Sequence, residues 1–352
     1  MATSPHEQVP RLTTLSHGGG CGCKIAPGVL AELLRESAPS FPVAALLVGR
    51  ETGDDAAVYQ LNDEQAIVAT TDFFTPIVDD PYQFGRIAAT NALSDVYAMG
   101  ATPIFALAIV GMPLAVLPPT TIREILDGGE SVCADAGIPV AGGHSIDSAE
   151  PIYGLAAIGL VAPQDVKRNR GAQPADALVL GKPLGVGVLA AALKKGKLDT
   201  AGYRSLIETT TQLNTAGPAL ARIPGVHALT DVSGFGLIGH LLGMCRGSGV
   251  GARVDAALLP VLPGALAYAE AGSATGASAR NWAAYASDVD FETQVDATRR
   301  LLLTDPQTSG GLLVSCAPDS TAPVLEEFRR HGCESASVIG SVAAGAPRIV
   351  IS

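Results

Sequence analysis

A chain of 352 residues, 47% hydrophobic and 16% charged, is long enough for two domains and too apolar to stay unfolded. Its formal net charge of −11 excludes nonspecific attachment to nucleic acid or to an anionic membrane surface, so a bound anion needs a cation to mediate. Six cysteines in this length do not make a disulfide framework, which points to a reducing cytoplasm.

The start, Met1 to Arg11, has no apolar core of the kind a signal peptide needs. The segment Gly18-Gly19-Gly20-Cys21-Gly22-Cys23-Lys24 then sets two thiols and an ammonium within four residues on a backbone stripped of bulk. Its glycines let it swing and approach a ligand closely, and Lys24 is expected to favour the thiolate, the nucleophilic form. Taken alone, a Gly-rich tail with incidental cysteines reads as well. Pro27 opens a short helix through Leu30, Leu33 and Leu34. Leu46–Val48, Ala56–Leu61 and Ile67–Thr71 read as strands. Between the first two lies the turn Glu51-Thr52-Gly53-Asp54-Asp55, with three carboxylates, and the third ends in Thr71-Asp72.

A long helix is expected from Pro81 to Met99, with Phe84, Ile87, Ala88, Ala92 and Val96 on its apolar side. Asn91 and Asp95, four apart, share one face, which is either functional or simply solvated. Pro103–Met112 reads as a buried strand and Thr121–Ala136 as a helix with Cys133 on its apolar face. The strand Ile138–Ala141 opens into Gly142-Gly143-His144-Ser145, a tight turn or a set of donors. Ile152–Val161 is a further strand. The longest apolar run, Ile104 to Leu117, is broken by Pro113 and falls short of the ~20 residues needed to span a bilayer.

The basic stretch Pro163–Pro174, with Lys167, Arg168 and Arg170, marks a junction. The expected division is a Gly-rich loop and first helix at 1–48, an N-terminal domain at 49–163 and a C-terminal domain at 164–352. The second half opens with the strand Ala177–Leu180. The GxGxxA that follows, Gly185 to Ala190, imitates a dinucleotide turn, but no convincing acid follows ~20 residues on. Helices around Tyr203–Ala221 and Gly236–Cys245 flank a strand at Val226–Leu229 that ends in Thr230-Asp231. A strand-like run, Leu301–Leu303, ends in Thr304-Asp305 and continues Pro306-Gln307-Thr308-Ser309-Gly310-Gly311. Three apolar strands ending in Thr-Asp hint at a duplicated plan. Cys245 and Cys316 fall at core positions, where free cysteine behaves as a small hydrophobe. Strands and helices in this mixture make the fold α/β or α+β.

The acids at strand ends, turns and the one helix face are Asp54, Asp55, Asp72, Asp95 and Asp231. Two unit charges about 4 Å apart repel by roughly 4 kcal/mol at an effective dielectric near 20, so a site gathering several of them needs divalent cations. Carboxylates suit Mg²⁺, and an acidic protein can hold a polyphosphate through it without a basic patch. No GxxxxGK[ST] occurs, which excludes a P-loop. The glycines able to offer N–H groups to phosphate are Gly53 and Gly142-Gly143, with His144-Ser145 adding side-chain donors.

Together, Ser16–Lys24 with its GCGCK core, Glu51–Asp55, Thr70 to Phe74, Ala88–Gly100, Gly142–Asp147, Thr230–His240 and Asp305–Leu313 resemble the selenophosphate synthetase (selenide, water dikinase) family, from about Arg11 to the C-terminus. The resemblance implies a two-domain aminoimidazole ribonucleotide synthetase-like (PurM-like) fold, with N-terminal sheets associating in a homodimer. It implies synthesis of selenophosphate, AMP and orthophosphate from ATP, selenide and water, with Mg²⁺ and commonly K⁺. By position, Cys21 is the residue the family fills with cysteine or selenocysteine, and Lys24 is an essential lysine that also touches ATP. Asp55, Asp95 and Asp231 would be Mg²⁺ ligands. Thr52, Gly53, Asp54, Asp72, Asp95, Gly143, His144 and Ser145 would surround the nucleotide. A selenium-delivery protein is an implied partner. The rival readings are a kinase or dehydratase of the same superfamily, a non-enzymatic thiol carrier of selenium or metal, and a nicotinamide-dependent oxidoreductase built on the GxGxxA turn.

Overall fold

The computed structural model describes residues 10–25, 29, 33, 43–49, 53–292 and 295–352. The helix expected from Pro27, and Thr52 in the acidic turn, lie outside the described residues.

The first lobe is a six-stranded sheet formed by β1 (Leu46–Val48), β2 (Ala57–Gln60), β3 (Ala66–Phe74), β4 (Thr102–Met112), β5 (Val140–Asp147) and β6 (Ile152–Val161). Their spatial order is β1-β2-β3-β6-β4-β5, antiparallel except for the parallel pair β4 and β5. Two helices cover one face, α1 (Pro81–Ala98) and α2 (Pro119–Asp135). Helix α1 starts where the sequence places it: Asp80 caps it by accepting from Gln83 N at 2.9 Å, and Pro81 fills the first turn. The helices cross at glycines. A Cβ on Gly85 would collide with the carbonyl of Ile125, and one on Gly128 with that of Tyr82.

The opposite face of the sheet is open. Tyr59, Phe73, Leu107 and Ile146 stand on it, with Phe73 47% and Ile146 57% exposed. Cross-strand register puts His144 level with Ile109, Gly154 and Phe73 in a single row.

The second lobe is a seven-stranded sheet. It contains β7 (Ala177–Leu180), β8 (Val226–Asp231), β9 (Gly251–Val254), β10 (Val289–Phe291), β11 (Leu312–Cys316), β12 (Ser337–Ala343) and β13 (Ile349–Ile351), in the order β10-β13-β9-β12-β7-β11-β8. Around it lie α3 (Val186–Lys194), α4 (Thr200–Thr210), α5 (Gly217–Ala221), α6 (Gly236–Ser248), α7 (Ala265–Glu270), α8 (Gly276–Tyr285), α9 (Ala297–Leu303) and α10 (Thr321–Arg330).

Two expectations change here. Leu301–Leu303 is the end of helix α9 and not a strand, because Asp296 caps a helix over this segment by accepting from Arg299 N at 2.9 Å. Only β8 therefore ends in Thr-Asp, since β3 runs on to Phe74, and the hint of duplication loses its basis. The GxGxxA turn follows β7, which pairs antiparallel with both neighbours, β11 and β12. That is not the parallel βαβ unit a dinucleotide site requires.

The lobes meet where α1 lies against β8, so one end of the first helix and one edge strand of the second sheet carry acids into the same buried layer. Cys133, Cys245, Cys316 and Cys333 are buried, and all six cysteines are free.

Candidate active site

The glycine-rich segment is a docked turn. Gly20–Cys23 forms one 3₁₀ turn, anchored by Gly20 N to Thr75 O at 2.9 Å and by Cys21 N to Thr308 Oγ1 at 3.1 Å. Gly20 has φ +54°, and a Cβ there would press on Thr308 Oγ1, so both conformation and space call for glycine. Cys21 ends up 1% exposed.

Its thiol donates to Asn91 Oδ1 at 3.2 Å, and Lys24 Nζ lies 3.2 Å from Asp72 Oδ2. Burial pushes the Cys21 thiol well above its ordinary range; Lys24 works against this, while Asp72 and Cys23 add to it. With the turn docked, the expected thiolate is therefore a thiol: desolvation outweighs the neighbouring ammonium. For Lys24 the balance runs the other way. Burial alone would depress the ammonium, but Asp72, then Cys21, Asp95 and Asp231, hold it above the usual lysine range.

The helix face bearing Asn91 and Asp95 is turned inward. Asn91 donates to Asp72 Oδ2 at 2.7 Å and accepts from Ser309 N at 2.7 Å. Asp95 Oδ2 accepts from Thr70 Oγ1 at 2.6 Å. Between them on the helix and next to Asp95, Ser94 donates to Asp231 Oδ2 at 2.6 Å and accepts from Asn214 Nδ2 at 2.8 Å, crossing between the lobes. Asp55 Oδ1 accepts from Thr230 Oγ1 at 3.0 Å, while its buried Oδ2 has no hydrogen-bond partner among the described residues.

Burial, and then Asp231, pushes Asp55 and Asp95 well above the usual carboxyl range. Asp231 is raised too, chiefly by burial. Three desolvated carboxyls, two of them raised further by Asp231 and one with an unused oxygen, are a donor set suited to a hard divalent cation.

His240 was missed by the sequence reading. One of its ring nitrogens lies within 4.8 Å of carboxylate oxygens of Asp55 and Asp231, forming a potential metal-holding group with them. Its Nε2 accepts from Ser233 N at 3.0 Å, and burial, aided by Lys24, pushes its pKa down to about 3. The available signal was its spacing, nine residues after the Asp231 that ends β8 and on the first turns of α6.

The 304–311 segment supports this layer. Asp305 Oδ2 accepts from Gly187 N at 2.9 Å and Val188 N at 3.3 Å, and Gln307 Oε1 accepts from Gly185 N and Val186 N at 3.2 Å each. The start of α3, where a phosphate would sit in a dinucleotide fold, is thus filled by the protein's own carboxyl and amide. Lys182, buried beneath, donates to Ser309 O at 2.8 Å and Gln212 O at 2.6 Å.

Other expected residues are not gathered here. Asp54 Oδ1 accepts from Asn169 N at 2.8 Å and Gly53 O accepts from Asn169 Nδ2 at 2.9 Å, so both tie the acidic turn to the connector between lobes. Gly143, His144 and Ser145 lie inside β5 at the exposed edge of the first sheet, not in a loop. His144 is three strands from Phe73, about 14 Å at the usual ~4.8 Å spacing. It stands on the opposite face from Asp72, since side chains alternate along β3.

Comparison with known proteins gives a consistent picture. The family model of AIR synthase related protein, N-terminal domain, matches residues 53–161, and that of the C-terminal domain matches residues 173–351. The chain is 66% identical over 343 residues to a selenide, water dikinase of Burkholderia pseudomallei, covering 97% of each chain. It is 65% identical over 351 residues to that of Burkholderia ambifaria, covering 100% of this chain and 99% of the other. Among solved structures, the thiamine-monophosphate kinase of Stenotrophomonas maltophilia superposes with a TM-score of 0.62 at 22% identity, over 94% of this chain and 96% of that one. This last likeness shows the fold alone.

Proposed function

The chain belongs to the selenide, water dikinase family, built on the aminoimidazole ribonucleotide synthetase-like fold, and from that membership we propose that the buried layer between its lobes is where ATP meets selenide. The reaction is ATP-dependent synthesis of selenophosphate. The observation that carries the location is the convergence of Cys21, Lys24, Asp55, Asp72, Asp95 and Asp231, drawn from five separated segments, on one desolvated cluster.

Lys24 is assigned to the transferred phosphoryl group. It is the ammonium inside the cluster, and its charge is held by Asp72 until a phosphate competes for it. Cys21 is assigned to selenium. Its thiol reaches the same space, and undocking the turn would restore an ordinary thiol, far easier to ionise than the buried one. Asp55, Asp95 and Asp231 are the ligands for Mg²⁺, which the orphaned Asp55 Oδ2 and the repulsion of Asp231 on Asp55 and Asp95 favour. Bound there, Mg²⁺ would neutralise charge on a polyphosphate and orient it. Asp72 orients Lys24 and Asn91. Thr70, Thr230 and Ser94 hold the carboxylates and leave them room to turn toward a ligand. K⁺ as a monovalent partner, and release of AMP and orthophosphate, follow from the family reading.

A homodimer accounts for two features at once. The open sheet face bears Tyr59, Phe73, Leu107 and Ile146, an apolar surface suited to a second copy. His144 stands on that same face, and Gly143 and Ser145 on the strand that borders it, so a nucleotide role for these three is proposed across the dimer and not within one chain. Gly53 and Asp54 are assigned to positioning Asp55. The proposed location is the cytoplasm, where a selenium-delivery protein would supply the substrate.

Anaerobic ³¹P NMR with ATP, Mg²⁺ and K⁺, with and without selenide, tests the reading. A selenophosphate resonance appearing only with selenide, alongside equal AMP and orthophosphate, is the expected result. ADP accumulating regardless of selenide would overturn it in favour of a simple kinase.

A further inference from the structure

A cavity of ≈ 290 Å³ borders the Gly20–Cys23 turn, and none of Asp55, Asp72, Asp95 and Asp231 lines it. Its walls include Gly18, Gly19 and Gly22 of the turn, together with Lys194, Lys195 and Arg280. Among the described residues the three cations are bonded only to carbonyls. Lys194 Nζ donates to Ser16 O at 3.1 Å, Lys195 Nζ to Gly272 O at 2.8 Å, and Arg280 Nη2 to Gly22 O at 3.2 Å. Among the described residues none of them has a carboxylate partner, whereas Arg11, Arg246, Arg253 and Arg348 all do. Two carboxylates are bonded to residues of the same walls, Asp79 to Thr13 and Glu150 to His17, and Asp79 also pairs with Arg11. Against them Arg11, Lys194, Lys195 and Arg280 leave a local positive excess in a chain of net charge −11.

The cavity leads somewhere. Gly22, Ala277 and Arg280 also line a much smaller void whose other walls include Cys21, Lys24 and Asn281. Gly22 therefore borders both spaces, next in sequence to Cys21, which lines the smaller one. The approach from this side avoids the acidic cluster, which would repel an anion.

We propose that this cavity is the entry site for the selenium substrate, a small selenide anion drawn in by Lys194, Lys195 and Arg280 and passed beside Gly22 to Cys21. The proposal rests on the selenide-using reading above and adds the place where that substrate first binds. ATP, carried by the carboxylate side, would not use it.

Anaerobic steady-state kinetics of the full chain with sodium selenide provide the test. In a Lys194→Glu, Lys195→Glu double variant the KM for selenide is expected to rise about tenfold, in the range of electrostatic attraction. The affinity for a fluorescent ATP analogue is expected to stay within twofold. At a fixed, saturating K⁺ concentration, added NaCl should raise the wild-type KM for selenide and leave that of the variant nearly flat. Arg280→Gln, a single neutral change, gives a second reading if the double variant does not fold, with a smaller rise of the same kind. An unchanged selenide KM in a variant that unfolds like wild type would overturn the entry site, as would an equal loss of ATP affinity. Wild-type protein with no selenide-dependent turnover at all would instead overturn the functional reading, and the entry site with it.

Discussion

The Cys21 thiol donates to the Asn91 amide oxygen across 3.2 Å, and the same amide holds Asp72 through Nδ2 and the Ser309 backbone through Oδ1. One side chain thus joins the N-terminal turn, the first sheet and the 304–311 segment. In Asn91→Ala the turn loses its anchor and Asp72 a charge-assisted donor. The expected cost is about 1–3 kcal/mol of stability, with faster alkylation of Cys21. In the wild type Cys21 should react slowly with iodoacetamide until the pH is well above the usual thiol range. Peptide mass mapping reads both, and equal Cys21 labelling in the two proteins would refute the anchoring role.

His240 sets an acid limit. Its folded pKa of about 3 lies below its ordinary 6.5, so between these values the unfolded chain binds the extra proton. Stability from this group is complete above pH 6.5 and is lost as pH falls toward 3, with an upper bound of about 5 kcal/mol. The raised carboxyls Asp55, Asp95 and Asp231 act in the opposite sense, since they gain from protonation. The comparison must therefore be with His240→Gln, which keeps an acceptor for Ser233 N without titrating. Urea midpoints at pH 7.5 and pH 4.5 should fall further for wild type than for the variant.

Divalent metal should stabilise the protein by relieving repulsion within the acidic cluster. The expected gain is about 2.7 kcal/mol at a hundredfold excess over Kd, visible as a Tm increase with MgCl₂. Asp231→Asn removes one buried like charge. It should equal or exceed the wild-type Tm without metal, lose most of the Mg²⁺ response and make no selenophosphate. A full Mg²⁺ response in this variant would remove Asp231 from the ligand set.

Gly187 leaves room for Asp305 at the start of α3: a Cβ there would collide with Asp305 Oδ1 and press on Pro306 O at 2.7 Å. Gly187→Ala should therefore push Asp305 off its two backbone donors and lower stability by about 2 kcal/mol or more, because overpacking and an unfilled cap act together. Chemical denaturation measures this directly. A neutral result would mean that the cap adjusts without loss.

A charge on the open sheet face should separate the proposed dimer. Leu107→Asp is expected to give monomers by sedimentation equilibrium and, with His144 then unpartnered, an ATP affinity lowered by at least tenfold. Monomers that bind ATP normally would show that β5 takes no part in nucleotide binding.

Some of this was legible in the residues and some was not. Helix α1 could be read because Asp80, Pro81 and the Phe84–Ile87–Ala88 spacing agree on one answer. The acids of Asp55, Asp72, Asp95 and Asp231 could be collected because strand ends and one helix face gather polar groups at an edge. Their convergence depended on how the lobes dock, which no local pattern carries. The Leu301–Leu303 run looked like a strand because three leucines carry no period; the cap at Asp296 decided for a helix. Gly142-Gly143-His144-Ser145 looked like a loop because paired glycines usually mark one. Here a strand pairs, among the described residues, only on its β4 side, and Gly143 packs so closely on Ala108 that a Cβ would strike its carbonyl. The state of Cys21 was misjudged for a similar reason: Lys24 is adjacent in sequence, but burial is set by Asn91, Thr308 and Gly234, all far along the chain.

The bond from Cys21 N to Thr308 Oγ1 closes a span of 287 residues. Contacts so distant along a chain form after the local ones, because the loop entropy must be met first. The docked turn also needs Thr75 and Asp72 from one lobe and Gly234 and Ala277 from the other. During synthesis Cys21 leaves the ribosome early and waits, exposed to oxidants, until nearly the whole chain has followed it. Its vulnerable period is therefore its youth, and a reducing surrounding matters most before the protein is finished.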